Sequence, residues 1–363
     1  MTATRPAPHM RDARPPAPRG PAVAGVELSS GIVRVVIGRR EESRFRIVGR
    51  GDSTLADGAL SGGLVTDRAS AAEAVREAFG VAEHLQRADR VSVAVDSDDM
   101  RTFHTVTAFE REDLRSAMAA SEETRAMREA AANATVRAAA ATEDDAGLRG
   151  VATTQLHDDV AALALDGRGL RSLVGHRGRI VEVWTDVTLG SLVVSGAATA
   201  TLEAARHRGT VVSGAYVLGR LVAGSGLSEG GIVRLGADLT AVAVVREGRV
   251  VATRVFALGR SALESRVGRA DEDGRVWADC VVASLRGLDG PPPARWSFVG
   301  VPESLLALPG ALAAVVGEIR GDAVDIGPLT VAQASRVYGD LALRSEDLVA
   351  AGAAALAAGI YES

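Results

Sequence analysis

Val26-Glu27-Leu28-Ser29-Ser30-Gly31-Ile32-Val33-Arg34-Val35-Val36 and, in the second half of the chain, Val233-Arg234-Leu235-Gly236-Ala237-Asp238-Leu239-Thr240-Ala241-Val242-Ala243-Val244 share one reading. Each is an apolar strand, a turn of small residues and a second apolar strand. β-Branched residues favour the strands. Ser29, Ser30 and Gly31 in one turn, and Gly236 and Ala237 in the other, are small enough for backbone N–H groups to approach an anion. The residue before each turn breaks the symmetry: Glu27 in the first hairpin, Arg234 in the second.

Working outward, 363 residues with 47% hydrophobic content are long enough for two cores, and 3% aromatics mean that Ala, Val and Leu must fill them. The net charge of -5 argues against general nucleic-acid binding, which needs a basic excess. All 41 basic residues are arginine, as a GC-rich genome favours. With no lysine, a lysine-dependent phosphate loop and a Schiff-base lysine are excluded. The lone cysteine, Cys280, permits neither a disulfide framework nor a cysteine metal site and fits a reducing compartment. Residues 1–22, with Arg5, Arg11, Arg14, Arg19 and six prolines, read as a disordered basic tail rather than a signal peptide. No window is apolar enough over the ~18 to 20 residues of a membrane span.

Along the chain, 23–38 and 44–50 predict three strands. Ser70 to Glu73 looks like a capping box for a helix to Leu85, and 91–95 is a returning strand. A long alanine-rich helix is expected over 109–141, opened by Glu110, Glu112 and Asp113. Strands at 160–165 and 179–187 flank the turns Asp166-Gly167 and Gly175-His176-Arg177-Gly178. From Gly230 the pattern gives two hairpins, short helices at 261–267 and 276–285, a strand at 296–299, a helix at 305–316, a strand at 323–326 and a last helix from Ser345 to Ala358. The domains expected are an N-terminal tail, a first lobe from 23–105 with 188–228, an inserted module at 106–187, and a second lobe at 229–363 whose segment 260–297 is short.

Paired phosphate hairpins in two lobes resemble the actin and sugar-kinase superfamily, with its ribonuclease H-like α/β fold, and finer features resemble FtsA, the actin-like bacterial cell-division family. Val26 to Gly38 aligns with its first phosphate segment, with Glu27 for Asp and Ser29 for Gly. Ile47-Val48-Gly49-Arg50-Gly51, Gly62-Gly63-Leu64-Val65-Thr66-Asp67 and the turns of the inserted module, an SHS2 domain in FtsA, continue the match. Gly300-Val301 takes the place of the adenosine-site double glycine. PilM, the actin-like protein of type IV pilus assembly, is the nearest competitor.

The resemblance implies ATP and magnesium held by Ser29, Ser30, Gly31, Arg234, Gly236, Ala237, Thr240, Gly300 and Val301, with Glu27 the metal-organising carboxylate and Asp238 a substitute for the one missing at 234. It also implies FtsZ and other division proteins as partners, self-association, and a cytoplasmic site, peripheral at the inner membrane. This chain departs from that pattern in several places. Magnesium needs hard oxygen ligands, and Arg234 supplies none; its guanidinium would hold phosphate oxygens directly or sit in a salt bridge. Glu27 is one methylene too long, and Val301 narrows the adenosine pocket. Only 38 residues separate Gly259 from Phe298, where FtsA holds a whole subdomain with its FtsZ surface. The terminal membrane helix of FtsA is not encoded after Ala358. Asp96, Asp98 and Asp99 read as a solvated turn, the six histidines as neither metal nor triad residues, and Trp277 and Trp296 as packing residues.

The expectation is therefore a division scaffold or adaptor with a degenerate, non-hydrolysing cleft. The alternatives are an active ATPase using Glu27 and Asp238, and a PilM-like pilus adaptor.

Overall fold

The computed structural model describes residues 20–145, 147–266, 270–339 and 341–360, without the side chains of 270–271. The expected basic tail therefore lies outside the described residues except for its last three. The first lobe is built on β1 (Ala22–Ser29), β2 (Ile32–Glu41) and β3 (Arg44–Thr54), an antiparallel meander that α1 (Arg68–Ala82) follows before β4 (Arg90–Val95) returns parallel to β1. Asp67, not Ser70, caps α1, its carboxylate accepting from Ala69 and Ser70 N–H at 3.0 and 3.1 Å.

β5 (Arg101–Glu110) opens the inserted module, which continues through α2 (Ala120–Ala141), β6 (Thr153–Leu165), β7 (Arg168–Leu170) and β8 (Ile180–Ser191). The long helix thus begins at Ala120 rather than Phe109. Thr102, Thr105 and Thr107 are buried while His104, Val106 and Ala108 are exposed, a period-two pattern over most of the segment that makes it a strand. Glu110, Glu112 and Asp113 sit around its end, and Glu122 and Glu123 occupy the first turn of α2 instead. Ala126, Ala130, Ala134 and Ala138 form a buried stripe at four-residue spacing, which lays α2 closely on the sheet β5-β8-β6-β7.

The chain re-enters the first lobe through α3 (Leu192–Ala204) and β9 (Gly209–Ser213), then α4 (Gly214–Gly224) leads to the second lobe. There β10 (Gly230–Leu235), β11 (Thr240–Arg246) and β12 (Arg249–Phe256) form a second meander. α5 (Arg260–Glu264) and α6 (Ala270–Ser284) follow, then β13 (Arg295–Val299), α7 (Ala307–Arg320), β14 (Asp325–Pro328), the short β15 (Val337–Gly339) on the edge of the first sheet, and α8 (Leu348–Ala357).

The two main sheets have one topology. β3-β2-β1-β4-β9 and β12-β11-β10-β13-β14 each place three antiparallel strands beside two parallel ones. The repeat visible in the hairpins therefore extends to a five-strand unit. Helices cover both faces of the first sheet, which explains why β1 is apolar almost throughout. α8 is buried from Leu348 to Ala355, but against the first sheet rather than in the second lobe expected over 229–363. With β15 it returns the chain to the first lobe, so close to β1 that a Cβ on Gly25 would stand 1.9 Å from the Ala350 carbonyl oxygen. Trp277 and Trp296, each 1% exposed, fill the second lobe beside α6 and α7, the packing role expected of them.

Candidate functional site

The two hairpins meet at the carboxyl ends of the parallel strands, where open α/β sheets place their ligand sites. Pairing fixes the geometry: Glu27 on β1 lies beside Ala94, so its side chain neighbours Asp96 just past the end of β4, while Arg234 on β10 lies beside Val299. Arg234 reaches across the lobes. One Nη donates to Glu27 and, at 3.1 Å, to Ser29 Oγ; the other donates to Asp96 Oδ2 at 2.9 Å. Arg34, opposite Glu27 in the β1–β2 ladder, donates to its other oxygen at 3.2 Å. Asp96 also accepts from Ala215 N–H at 2.8 Å, at the positive amino end of α4.

Glu27 and Asp96 are buried at 1% and 6% exposure, so their charges need the guanidinium. Burial lowers the basicity of Arg234, but the charges of Glu27 and Asp96 outweigh it and hold the group above its ordinary range. Burial raises Asp96, and Arg234 and the α4 amide pull against that rise. The turns interlock as well. Asp238 Oδ2 accepts from Ser30 Oγ at 2.6 Å and from Gly62 N–H at 3.3 Å.

Several expectations change here. Of the two readings of Arg234, the structure has the salt bridge: its fork is spent on two carboxylates and a hydroxyl rather than offered to a phosphate. Asp96 is a buried member of the cleft rather than part of a solvated turn; its signal in the sequence was its position directly after a parallel strand. Asp238 ties the lobes together. Thr240 faces the second-lobe core, where Oγ1 donates to Leu258 O at 2.5 Å and accepts from Trp277 Nε1 at 3.0 Å.

Magnesium does not fit this arrangement. The guanidinium stands between the carboxylates a metal would need, and the space left beside Ser29, Gly63, Asp96 and Asp238 is about 20 Å³, room for one water. Among the described residues no group of three or more His, Cys, Asp or Glu side chains converges as a metal site. Outside the lock a cavity of about 370 Å³ remains, lined by Ser29, Ser30, Gly236, Ala237, Gly300 and Val301, with Arg34, Arg260 and Arg344 on its walls. Gly300 has φ +78°, and a Cβ there would meet the Leu235 carbonyl oxygen at 2.6 Å, so the backbone conformation requires glycine. Gly31, at φ +83°, forms the β1–β2 turn facing Asp57 and Ser261.

A second polar cluster joins α4 to the inserted module. Tyr216 Oη lies 2.7 Å from Asp159 and 2.8 Å from Asp186, its one proton shared between the two carboxylates, Arg220 Nε donates to Asp159 at 2.6 Å, and His104 Nδ1 lies 2.8 Å from Asp186. His157 is tilted over Tyr216 at 4.8 Å between centroids; neither ring nitrogen has a hydrogen-bond partner among the described residues, and burial lowers its pKa to about 4. Sequence reading missed this cluster. Its only local signal is Tyr216 and Arg220, four residues apart on one helix.

No family profile and no curated protein matches the sequence. Solved structures do. A PilM–PilN type IV pilus biogenesis complex is similar at TM-score 0.58 and 16% identity, over 93% of this chain and 98% of that one. The ethanolamine utilization protein EutJ from Carboxydothermus hydrogenoformans aligns at TM-score 0.42 and 15% identity over 86% and 87% of the two chains. The cytoplasmic domain of EpsL, an inner membrane component of the Vibrio cholerae type II secretion system, aligns at 0.38 and 10% over 92% and 94%. With a duplicated sheet, two hairpins facing one cleft and the likeness to the PilM–PilN structure in hand, the chain has the actin-like ATPase fold.

Proposed function

We propose that this protein is a non-hydrolysing adaptor on the actin-like fold, serving a bacterial envelope or division assembly through protein contacts. The observation that carries the reading is Arg234, a fixed cation bound to Glu27 and Asp96 at the position where an actin-like ATPase needs a diffusible one. A covalently attached guanidinium closes the lobes without ligand and cannot polarise a phosphate together with a bound water as magnesium does. The cleft thereby keeps its shape and loses its turnover. Nucleotide titration by calorimetry, with and without magnesium, and phosphate release provide the test. No magnesium-dependent affinity and no hydrolysis are expected; magnesium-dependent turnover at an ordinary actin-family rate overturns the proposal.

Two settings follow from different observations. The Asp166-Gly167 and Gly175 to Gly178 turns of the inserted module support an FtsA-like division role. The likeness to PilM in its complex with PilN supports a pilus-type adaptor that docks on a protein partner. No described helix is long and apolar enough to cross a membrane, so a membrane role would run through such a partner. Two-hybrid pairing with FtsZ and with the cytoplasmic segment of a PilN-type protein separates the settings, and pairing with neither removes both.

A further inference from the structure

At the outer end of the inserted module, between the start of α2 and the ends of β5 and β8, lies a groove of about 680 Å³. Its floor is apolar, formed by half-buried Phe109 and buried Met118, Ala126 and Val181. Its rim is acidic. Arg111 is committed to Glu122 by two bonds of 2.8 and 3.0 Å, which leaves exposed Glu112 and Glu129 without an ion-pair partner among the described residues. Of the seven charged side chains that line the groove, five are Glu or Asp and two are Arg; Glu110 is paired with Arg179 at 2.8 Å and Glu122 with Arg111, so Glu112, Asp113 and Glu129 face one further cation, Arg125. An apolar floor under unpaired carboxylates suits a cationic ligand with flat apolar surfaces.

The chain carries such a segment. Residues 1–19 hold Arg5, Arg11, Arg14 and Arg19 against one acid, Asp12, and Arg14-Pro15-Pro16-Ala17-Pro18-Arg19 sets proline rings between two arginines. Proline-rich sequence favours the polyproline II form, which docks on aromatic-lined surfaces at small entropic cost. The segment's proline rings offer apolar surface to the floor, and Arg14 and Arg19 offer cations to the rim. We propose that the Arg/Pro-rich segment of one copy docks in this groove of a second copy.

Covalent reach favours the second copy. Gly20 accepts from Arg39 at 2.6 Å and Ala22 N–H donates to Asp89 at 2.7 Å, which fixes the entry to β1 at the amino-terminal edge of the first sheet. The inserted module is rooted at the opposite edge, past the end of β4, about eight residues or ~25 Å along the strands at ~3.3 Å each. Pro15 to Arg19 stays within ~17 Å of Gly20 on the same spacing. A tail-to-groove contact between different surfaces is heterologous, so repetition gives an open chain of subunits rather than a closed dimer.

Sedimentation velocity of the full chain across concentration at low salt, with a labelled peptide of residues 1–21 as probe, tests the proposal. Association that grows with concentration, weakens with salt and is reversed by the peptide is expected. Glu112→Arg with Glu129→Arg, both at exposed positions, should weaken peptide binding at least tenfold and leave the chain monomeric, and so should Arg14→Glu with Arg19→Glu. Mixing the two double variants should restore association between them, because each supplies the half of the contact that the other has lost, and placing all four changes in one chain should restore it as well. A full chain that stays monomeric at every concentration, or peptide binding that the groove changes leave intact, overturns the proposal.

Discussion

At matching positions of the two hairpins stand Glu27, on the strand paired to Ala94, and Arg234, on the strand paired to Val299. In one lobe the parallel strand ends in a carboxylate, Asp96; in the other it ends in Gly300, whose positive φ is glycine's own. At these matching positions the first lobe therefore presents anions, Glu27 and Asp96, and the second presents a cation, Arg234. Two like halves usually close on a ligand that neutralises both. Here the halves neutralise each other, and closure no longer needs the ligand.

The comparison breaks most visibly at Arg234. Arg234→Ala leaves buried Asp96 without a cation and Glu27 with Arg34 alone, and should cost about 3 to 5 kcal/mol, the usual penalty for removing one partner of a buried pair, read as a lower midpoint in urea denaturation. A loss below ~1 kcal/mol, typical of an exposed pair, would show that the lobes are not held by charge.

pH distinguishes the lock from the cluster on α4. His157 titrates near 4 in the fold and near 6.5 when unfolded, so the unfolded chain takes up the proton first. Its contribution is fully present above about 6.5 and is lost as pH falls toward 4, by about 3 kcal/mol at 1.36 kcal/mol per unit. Subtracting the profile of His157→Phe removes the carboxylates that titrate in the same range. A difference that is flat across the window disproves the buried neutral imidazole.

Arg234→Asp inverts the sign of the second hairpin and puts a third carboxylate beside Glu27 and Asp96. Its stability should become magnesium-dependent, recovering about 2.7 kcal/mol when magnesium reaches a hundred times its Kd, while the unaltered chain melts at one temperature in magnesium and in EDTA. The smallest effect is expected at the interlocked turns. Asp238→Asn weakens the charge-assisted bonds to Ser30 and Gly62 and should cost about 1 to 2 kcal/mol, measured in the same denaturation series.

Much of this was legible in residue order. Strand-turn-strand segments, the apolar run of β1 and the alanine-rich final helix are local patterns set by side-chain shape and periodicity. They were enough to expect two lobes, a buried C-terminal helix and a departure at Arg234. The 109–120 segment misled because acids before alanines look like a helix start, whereas the β-branched alternation from Thr102 to Phe109 belongs to a strand that only its partner β8 stabilises.

The sequence by itself determined the fold and the charge at each hairpin, since both depend on residue type and short spacing. The tertiary structure decided what those charges do. Asp96 lies 138 residues from Arg234 and Glu27 lies 207. Only the stacking of two parallel strand ends into one dry cleft turns an acid after a strand and an arginine before a turn into a lock, because a pair is strong where water has been removed.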